Sequence, residues 1–414
     1  VALSIIAPAS AHAATAVIMG PTFVPDPSAD PDYFRVVTEN FVGPTTNCKT
    51  GNCTFIPLVT PQELWPFTGL DDLTFDQSIA VGVQLLTAEL EKQIAALRPD
   101  PTVFLGNSQS ATLLTLAKRN LGDLGTLDKS RLIFVLLANP NRPNGGLLAR
   151  IQPTSVPSSG VSAAVATPTD TGIPTIDITF QYDGVSDFPA YPSNILSVLN
   201  TLAGAYIHAG TTTTLNGYTE AELTAALNDP ANRQIDGDTT YITIPAKSLP
   251  LVDLLRTFGA ANGLSSLTTP VADLIEPTMR ILVELGYDRT AYGRPQPIAP
   301  LPASNQLQMD ALLSAAGSAG LSAFVSALTK TVPGQPSGPA VGGWNTPGTS
   351  RVTLNRRPRA ASSLDATATS EARNTSVPAV GVSADRRIAP SAVGQRGTAQ
   401  ASKAGVAKRR SATA

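Results

Sequence analysis

The sequence predicts an α/β-hydrolase: a mainly parallel β-sheet flanked by helices, with a helical lid and a disordered C-terminal tail. Two observations carry this. Short runs rich in β-branched and aromatic residues alternate with longer segments whose apolar residues recur every three or four positions. One such run passes straight into a helix through Gly106-Asn107-Ser108-Gln109-Ser110, the sharp strand-to-helix turn on which these folds mount a nucleophilic serine.

Residues 1–13 form a moderately apolar run with Ala11 and Ala13 in Ala-x-Ala spacing, the pattern of the back half of a signal peptide. Export is the expectation, to the secreted fraction or the cell envelope. A strand is expected over residues 14–19, closed by Gly20-Pro21-Thr22. The only two cysteines, Cys48 and Cys53, have no second pair with which to build a four-ligand zinc site. A short disulfide loop is expected in an oxidising compartment, a reduced pair otherwise, and no metal in either case.

Thr74 reads as the N-cap of a helix over residues 75–97, where Ile79, Val83, Leu86, Leu90, Ile94 and Leu97 make one apolar face. Strands follow at residues 102–105, 131–137, 175–180 and 241–244, and helices at 111–121 and 195–207. Residues 249–287 read as a helical lid or flank interrupted by Pro270 and Pro277. One hydrolase domain is thus expected over residues 14–330. Beyond it the composition shifts to Pro, Gly, Ser, Thr, Ala and Arg, too poor in apolar residues to offset ordering entropy.

Composition and charge narrow the function. With 42% hydrophobic and 14% charged residues the chain is too apolar to be disordered throughout. The net charge of −2 hides an asymmetry: residues 331–414 hold 12 Lys and Arg against three acids, a balance of +9, which leaves −11 for the rest. An acidic body excludes a nucleic-acid-binding core, while the basic tail suits either solvation or an electrostatic tether to an anionic envelope surface. No G-x-x-x-x-G-K or G-x-G-x-x-G sequence is present, so no nucleotide cofactor is expected.

In a parallel sheet the chemistry sits just after strand ends. Ser108 occupies such a place, and Gln109, first in the following helix, would offer its backbone N–H to an oxyanion. A second N–H would come from Thr22, whose hydroxyl is a further candidate donor. Of the two histidines, His12 falls in the signal remnant, which leaves His208 as the base. The acid should lie between serine and histidine beyond a strand, where Asp183 is nearest the strand end and Asp187 is the alternate. Each residue also has a plainer reading, as N-cap, cap or Asx turn. Trp65 could line an acyl site or simply pack in its loop, and residues 139–146 could rim a cleft or make a turn.

Several stretches together resemble the PE-PPE domain family of mycobacterial and related actinobacterial proteins, a branch of serine α/β-hydrolases similar to cutinases. They are Met19-Gly20-Pro21-Thr22 with Asp26-Pro27, Glu63-Leu64-Trp65-Pro66-Phe67-Thr68-Gly69, Leu73 to Ser78, Gly106 to Ser110, and Asn139 to Gly146. Tyr182 to Pro189, Tyr206-Ile207-His208 and Ala272 to Pro277 continue the series. The chain has Gly20-Pro21-Thr22 where a Gly-Gly-Thr is common in the family. The resemblance implies a serine esterase or lipase acting on short- to medium-chain acyl esters, with Ser108, an aspartate at 183 or 187, and His208 at the family's catalytic positions. It also implies two alternatives: an acyltransferase building acylated trehalose glycolipids at the cell envelope, and a catalytically silent envelope or host-interaction protein.

Overall fold

Seven strands form one sheet in the order β2-β1-β3-β4-β5-β7-β6. They are β1 (Ala14–Ile18), β2 (Cys53–Pro57), β3 (Thr102–Asn107), β4 (Leu132–Leu137), β5 (Thr175–Phe180), β6 (Arg233–Asp236) and β7 (Thr239–Ile244). All pairs are parallel except the β6–β7 hairpin. The computed structural model describes residues 14–121, 125–151, 165–300 and 306–329. The expected signal remnant 1–13, with His12, and the basic tail 331–414 lie outside them.

Successive residues of the central strands feed opposite faces, as a pleated strand requires. Val103 and Leu105 join Val135, Leu137, Ile178, Phe180, Ile242 and Ile244 in one apolar layer, whereas Phe104 joins Phe134 and Leu136 in the other. Helices cover both faces. Among those of seven residues or more, α1 (Pro31–Val37) is followed by α2 (Phe75–Ala95) and α3 (Gln109–Asn120). Next come α4 (Ile195–Ala203), α5 (Ala205–Thr213) and α6 (Glu220–Asn228), then α7 (Pro250–Ala261), α8 (Ser265–Glu284) and α9 (Gln306–Thr329). Ile79, Leu86 and Leu90 of α2 and Leu113 and Leu114 of α3 close the Phe104 face, while Val36 and Val37 of α1, Ile207 of α5 and Leu223 and Leu227 of α6 close the other. This double burial is why the strands read as near-continuous apolar runs.

Four details differ from the sequence expectation. The short strands β2 and β6 lie at the sheet edges, half-exposed, and so lack an apolar run. The single helix expected over 195–207 is two, divided at Gly204, where a Cβ would crowd Pro250 Cγ and the Asn200 carbonyl at 3.1 and 3.2 Å. Residues 211–213, beyond the expected helix end at 207, continue α5, where Thr211 and Thr213 return their hydroxyls to the carbonyls of Ile207 and Ala209 at 3.1 and 2.9 Å instead of leaving the helix. Pro270 and Pro277 lie within α8 rather than ending it. That helix is held from outside: Arg256 of α7 pairs with Asp273 and Glu276 at 2.7 and 2.8 Å, on the turn before Pro277.

Cys48 and Cys53 are joined in a disulfide that closes the loop leading into β2. Thr74 caps α2 in a capping box with Gln77. No helix among the described residues is long and apolar enough to cross a membrane.

Candidate active site

Ser108 stands between β3 and α3 with φ 55° and ψ −113°, a left-handed conformation that costs a non-glycine residue about 1–3 kcal/mol. The surroundings hold it there. Its N–H donates to the Leu137 carbonyl at 2.9 Å, as the last rung of the β3–β4 ladder. Two residues on, Ser110 Oγ accepts from the Asn107 N–H at 2.8 Å and donates to the Asn107 carbonyl at 3.1 Å, folding the turn on itself. Gly106 makes room: a Cβ there would stand 2.5 Å from the Ser110 carbonyl oxygen and 2.8 Å from the Ala111 nitrogen. Gly106→Ala is therefore expected to cost about 2 kcal/mol or more, read as a lower urea midpoint at unchanged slope.

The turn delivers Ser108 Oγ to His208 Nε2 at 2.8 Å. His208 projects from the middle of α5, fixed by its neighbour Ile207 in the core beneath. The other ring nitrogen, Nδ1, is 3.0 Å from both Oδ1 and Oδ2 of Asp183. Asp183 follows the end of β5, past Tyr182 at φ 69°, and is fully buried. Its Oδ1 also accepts the N–H of Val185 at 2.8 Å and of Ser186 at 3.3 Å, so the Asx turn and the imidazole contact coexist on one carboxylate.

The electrostatics follow. Burial disfavours the charged imidazole, but the charge and hydrogen bond of Asp183 together outweigh it, holding His208 above its ordinary pKa. Burial likewise works against the Asp183 carboxylate, and the charge and hydrogen bond of His208 with the Val185 and Ser186 donors more than offset it, so Asp183 lies below the usual carboxylate range. Asp187 faces elsewhere. Its Oδ2 accepts the Tyr182 N–H at 2.7 Å and its Oδ1 takes Arg289 Nη1 at 2.5 Å.

Thr22 and Gln109 meet through their side chains, Thr22 Oγ1 donating to Gln109 Oε1 at 2.8 Å. The Thr22 hydroxyl proton is thereby committed, which corrects its reading as a free oxyanion donor. The backbone N–H groups of Thr22 and Gln109 have no partner among the described residues. Gly20 permits the β1 turn, since a Cβ would fall 1.9 Å from the Val24 carbonyl oxygen. Gln109 Nε2 donates both to the Glu63 carbonyl and to Ser78 Oγ, each at 2.9 Å. Glu63 and Ser78 lie in stretches that carry the family resemblance, but with contacts spanning 46 and 31 positions no local pattern assigns them to the site.

Trp65 is half-exposed, its indole N–H on the Leu70 carbonyl at 3.0 Å. Residues 139–146 do not rim a cleft. Asn139 and Arg142 are buried on Asp177, both at 2.8 Å, with the Arg142 guanidinium over the rings of Tyr241 and Tyr292. No group of three or more His, Cys, Asp or Glu able to hold a metal occurs among the described residues. A serine hydrogen-bonded to an imidazole that is oriented by a buried carboxylate can act as a nucleophile toward acyl carbonyls.

A family model described as the PE-PPE domain matches residues 52–288. Esterase PE16 of Mycobacterium tuberculosis is 39% identical over 292 residues, covering 70% of this chain and 51% of that protein. SL1278 acyltransferase Chp1 of the same organism is 27% identical over 242 residues, covering 55% and 52% respectively. The chain thus spans about half the length of these curated relatives. A cutinase-like protein from Cryptococcus sp. aligns in structure with a TM-score of 0.29 at 19% identity, covering 53% of this chain and 98% of its own.

Proposed function

Because this chain belongs to the PE-PPE domain family, we propose that it is a serine hydrolase cleaving short- to medium-chain acyl esters through a covalent acyl-enzyme. The observation that carries the proposal is the continuous hydrogen-bonded line from Ser108 through His208 to Asp183. Ser108 Oγ attacks the ester carbonyl carbon while His208 Nε2 takes its proton, and Asp183 holds the ring in the tautomer with the proton on Nδ1. The charge developing on the carbonyl oxygen is met by the N–H groups of Gln109 and Thr22 at the amino end of α3. Collapse breaks the bond to the alcohol, which leaves with the proton from His208. Water, deprotonated by the same nitrogen, then attacks acyl-Ser108 and releases the acid.

A fluorophosphonate probe is expected to label Ser108 alone, read by peptide mapping; an unlabelled Ser108 in folded protein supports the catalytically silent reading instead. The second reading replaces water with a sugar hydroxyl, and the similarity to an acyltransferase favours testing it. Acyl-enzyme turnover in the presence of trehalose or an acyl-trehalose decides between them: free acid alone means hydrolysis, an acylated sugar means transfer. Location outside the cytoplasm or at the cell envelope is part of the same proposal, supported by the apolar start of the chain and by the Cys48–Cys53 disulfide. The +9 balance of residues 331–414 suits attachment to an anionic envelope polymer. Deleting them is expected to abolish salt-sensitive envelope binding.

A further inference from the structure

From Phe188 to Thr219 the chain carries no Asp, Glu, Lys or Arg, and α4 and α5 both lie in this stretch. Within it, α4 is built inside out. Its buried residues are Ser197, Asn200 and Thr201. Each has a partner in the segments behind: Ser197 Oγ donates to the Val283 carbonyl at 2.6 Å, Thr201 Oγ1 meets Tyr287 Oη at 2.9 Å, and the Leu251 N–H donates to Asn200 Oδ1 at 2.9 Å, while Asn200 Nδ2 is buried with no partner among the described residues. Leu196 packs against the core, but three other apolar residues point to solvent. Ile195 is 69% exposed, Leu199 44% and Leu202 66%, on one side of the helix by their steps of four and three.

The surface extends beyond α4. Tyr206, past the bend at Gly204, is 53% exposed, and its hydroxyl donates to Asp253 Oδ2 at 3.4 Å. The next residue of α7, Leu254, and Phe258 one turn on are exposed as well. A contiguous apolar surface of this kind marks an interaction site. A protein partner would meet a polar rim, with charged groups at the edge. Along α4 and α5 the face carries no formal charge, and where it meets α7 the nearest charges, Asp253 and Arg256, neutralise each other in an ion pair at 2.9 Å; hydrocarbon is the medium that excludes charge while accepting protruding aliphatic side chains. The −11 balance of residues 1–330 disfavours anionic headgroups.

We infer that the outward apolar stripe of α4, continued by Tyr206, Leu254 and Phe258, docks the protein on the acyl-chain layer of an uncharged lipid surface.

The test is co-sedimentation of the full chain with phosphatidylcholine vesicles, with sedimentation velocity alongside. The wild type and the Ser108→Ala variant are expected to bind alike and to stay bound in high salt, so the result is independent of the proposed chemistry. The triple variant Ile195→Gln, Leu199→Gln, Leu202→Gln keeps helix propensity and removes the apolar stripe. It is expected to partition at least about 100-fold less, from the transfer cost of three aliphatic side chains, with an unchanged melting temperature and unchanged turnover of a dissolved ester. A wild type that stays in the supernatant, or a triple variant that binds equally, overturns the inference. So does a wild-type dimer that the triple variant dissociates, which assigns the face to a second copy. Release of the wild type by salt overturns it as well, assigning attachment to charge.

Discussion

Ser108→Ala is expected to lower kcat for p-nitrophenyl butyrate by about a millionfold while leaving KM within a small factor, because the hydroxyl forms its new bond only on the way to the transition state. The residual rate above water would come from the Gln109 and Thr22 amides and from binding. Ser108 also holds a left-handed backbone at φ 55°, so the same position offers a stability readout. Ser108→Gly, which accepts that conformation freely, is expected to be as inactive as the alanine variant but about 1 kcal/mol more stable toward urea. A Ser108→Ala protein hydrolysing the ester at the native rate would refute the mechanism outright.

The second large effect separates the two candidate acids. Asp183→Asn is expected to reduce kcat about 10^4-fold, since an amide presents its N–H to His208 or selects the wrong tautomer. It should also move the pH profile. The base must be neutral, and with Asp183 present its pKa is raised, so activity should climb with pH through a midpoint above the ordinary histidine value. Without the carboxylate only burial acts on the ring, and the acid limb should shift to lower pH. Asp187→Asn removes a partner of Arg289, which keeps its contact to Glu284 at 3.0 Å. It is expected to cost about 2 kcal/mol of stability with kcat within about threefold of native. Rate profiles between pH 5 and 9, read with urea melts of both variants, check the pair; equal kcat losses would remove the distinction.

The strand-to-helix corner at Ser108 was legible because the turn is local, needing only Gly106 and a small residue at 110. His208 was legible by elimination. Asp183 is preferred to Asp187 in the sequence only for its nearness to the strand end, since both follow the same strand within a few residues. Which of them faces His208 depends on the left-handed turn at Tyr182 and on Arg289, more than a hundred positions away from Asp187. Periodicity identified an apolar face in 195–207 without saying which way it points. In α4 that face looks outward, because Val283, Tyr287 and Leu251 supply polar partners to the opposite side. The edge strands β2 and β6 were missed for a related reason: a half-exposed strand needs no apolar run.

The amide of Gln109 ties together pieces of chain that are remote in sequence: the turn after β1 through Thr22, the segment at Glu63, and α2 through Ser78. The residue whose main chain would face the substrate oxygen also sets, with its side chain, where the neighbouring amide sits. Changes at 22, 78 and 109 should not add when combined, because the first break already frees the rest. Under the proposed mechanism, a change at Gln109 alone should loosen all three attachments at once and slow the chemistry at Ser108 without touching its hydroxyl.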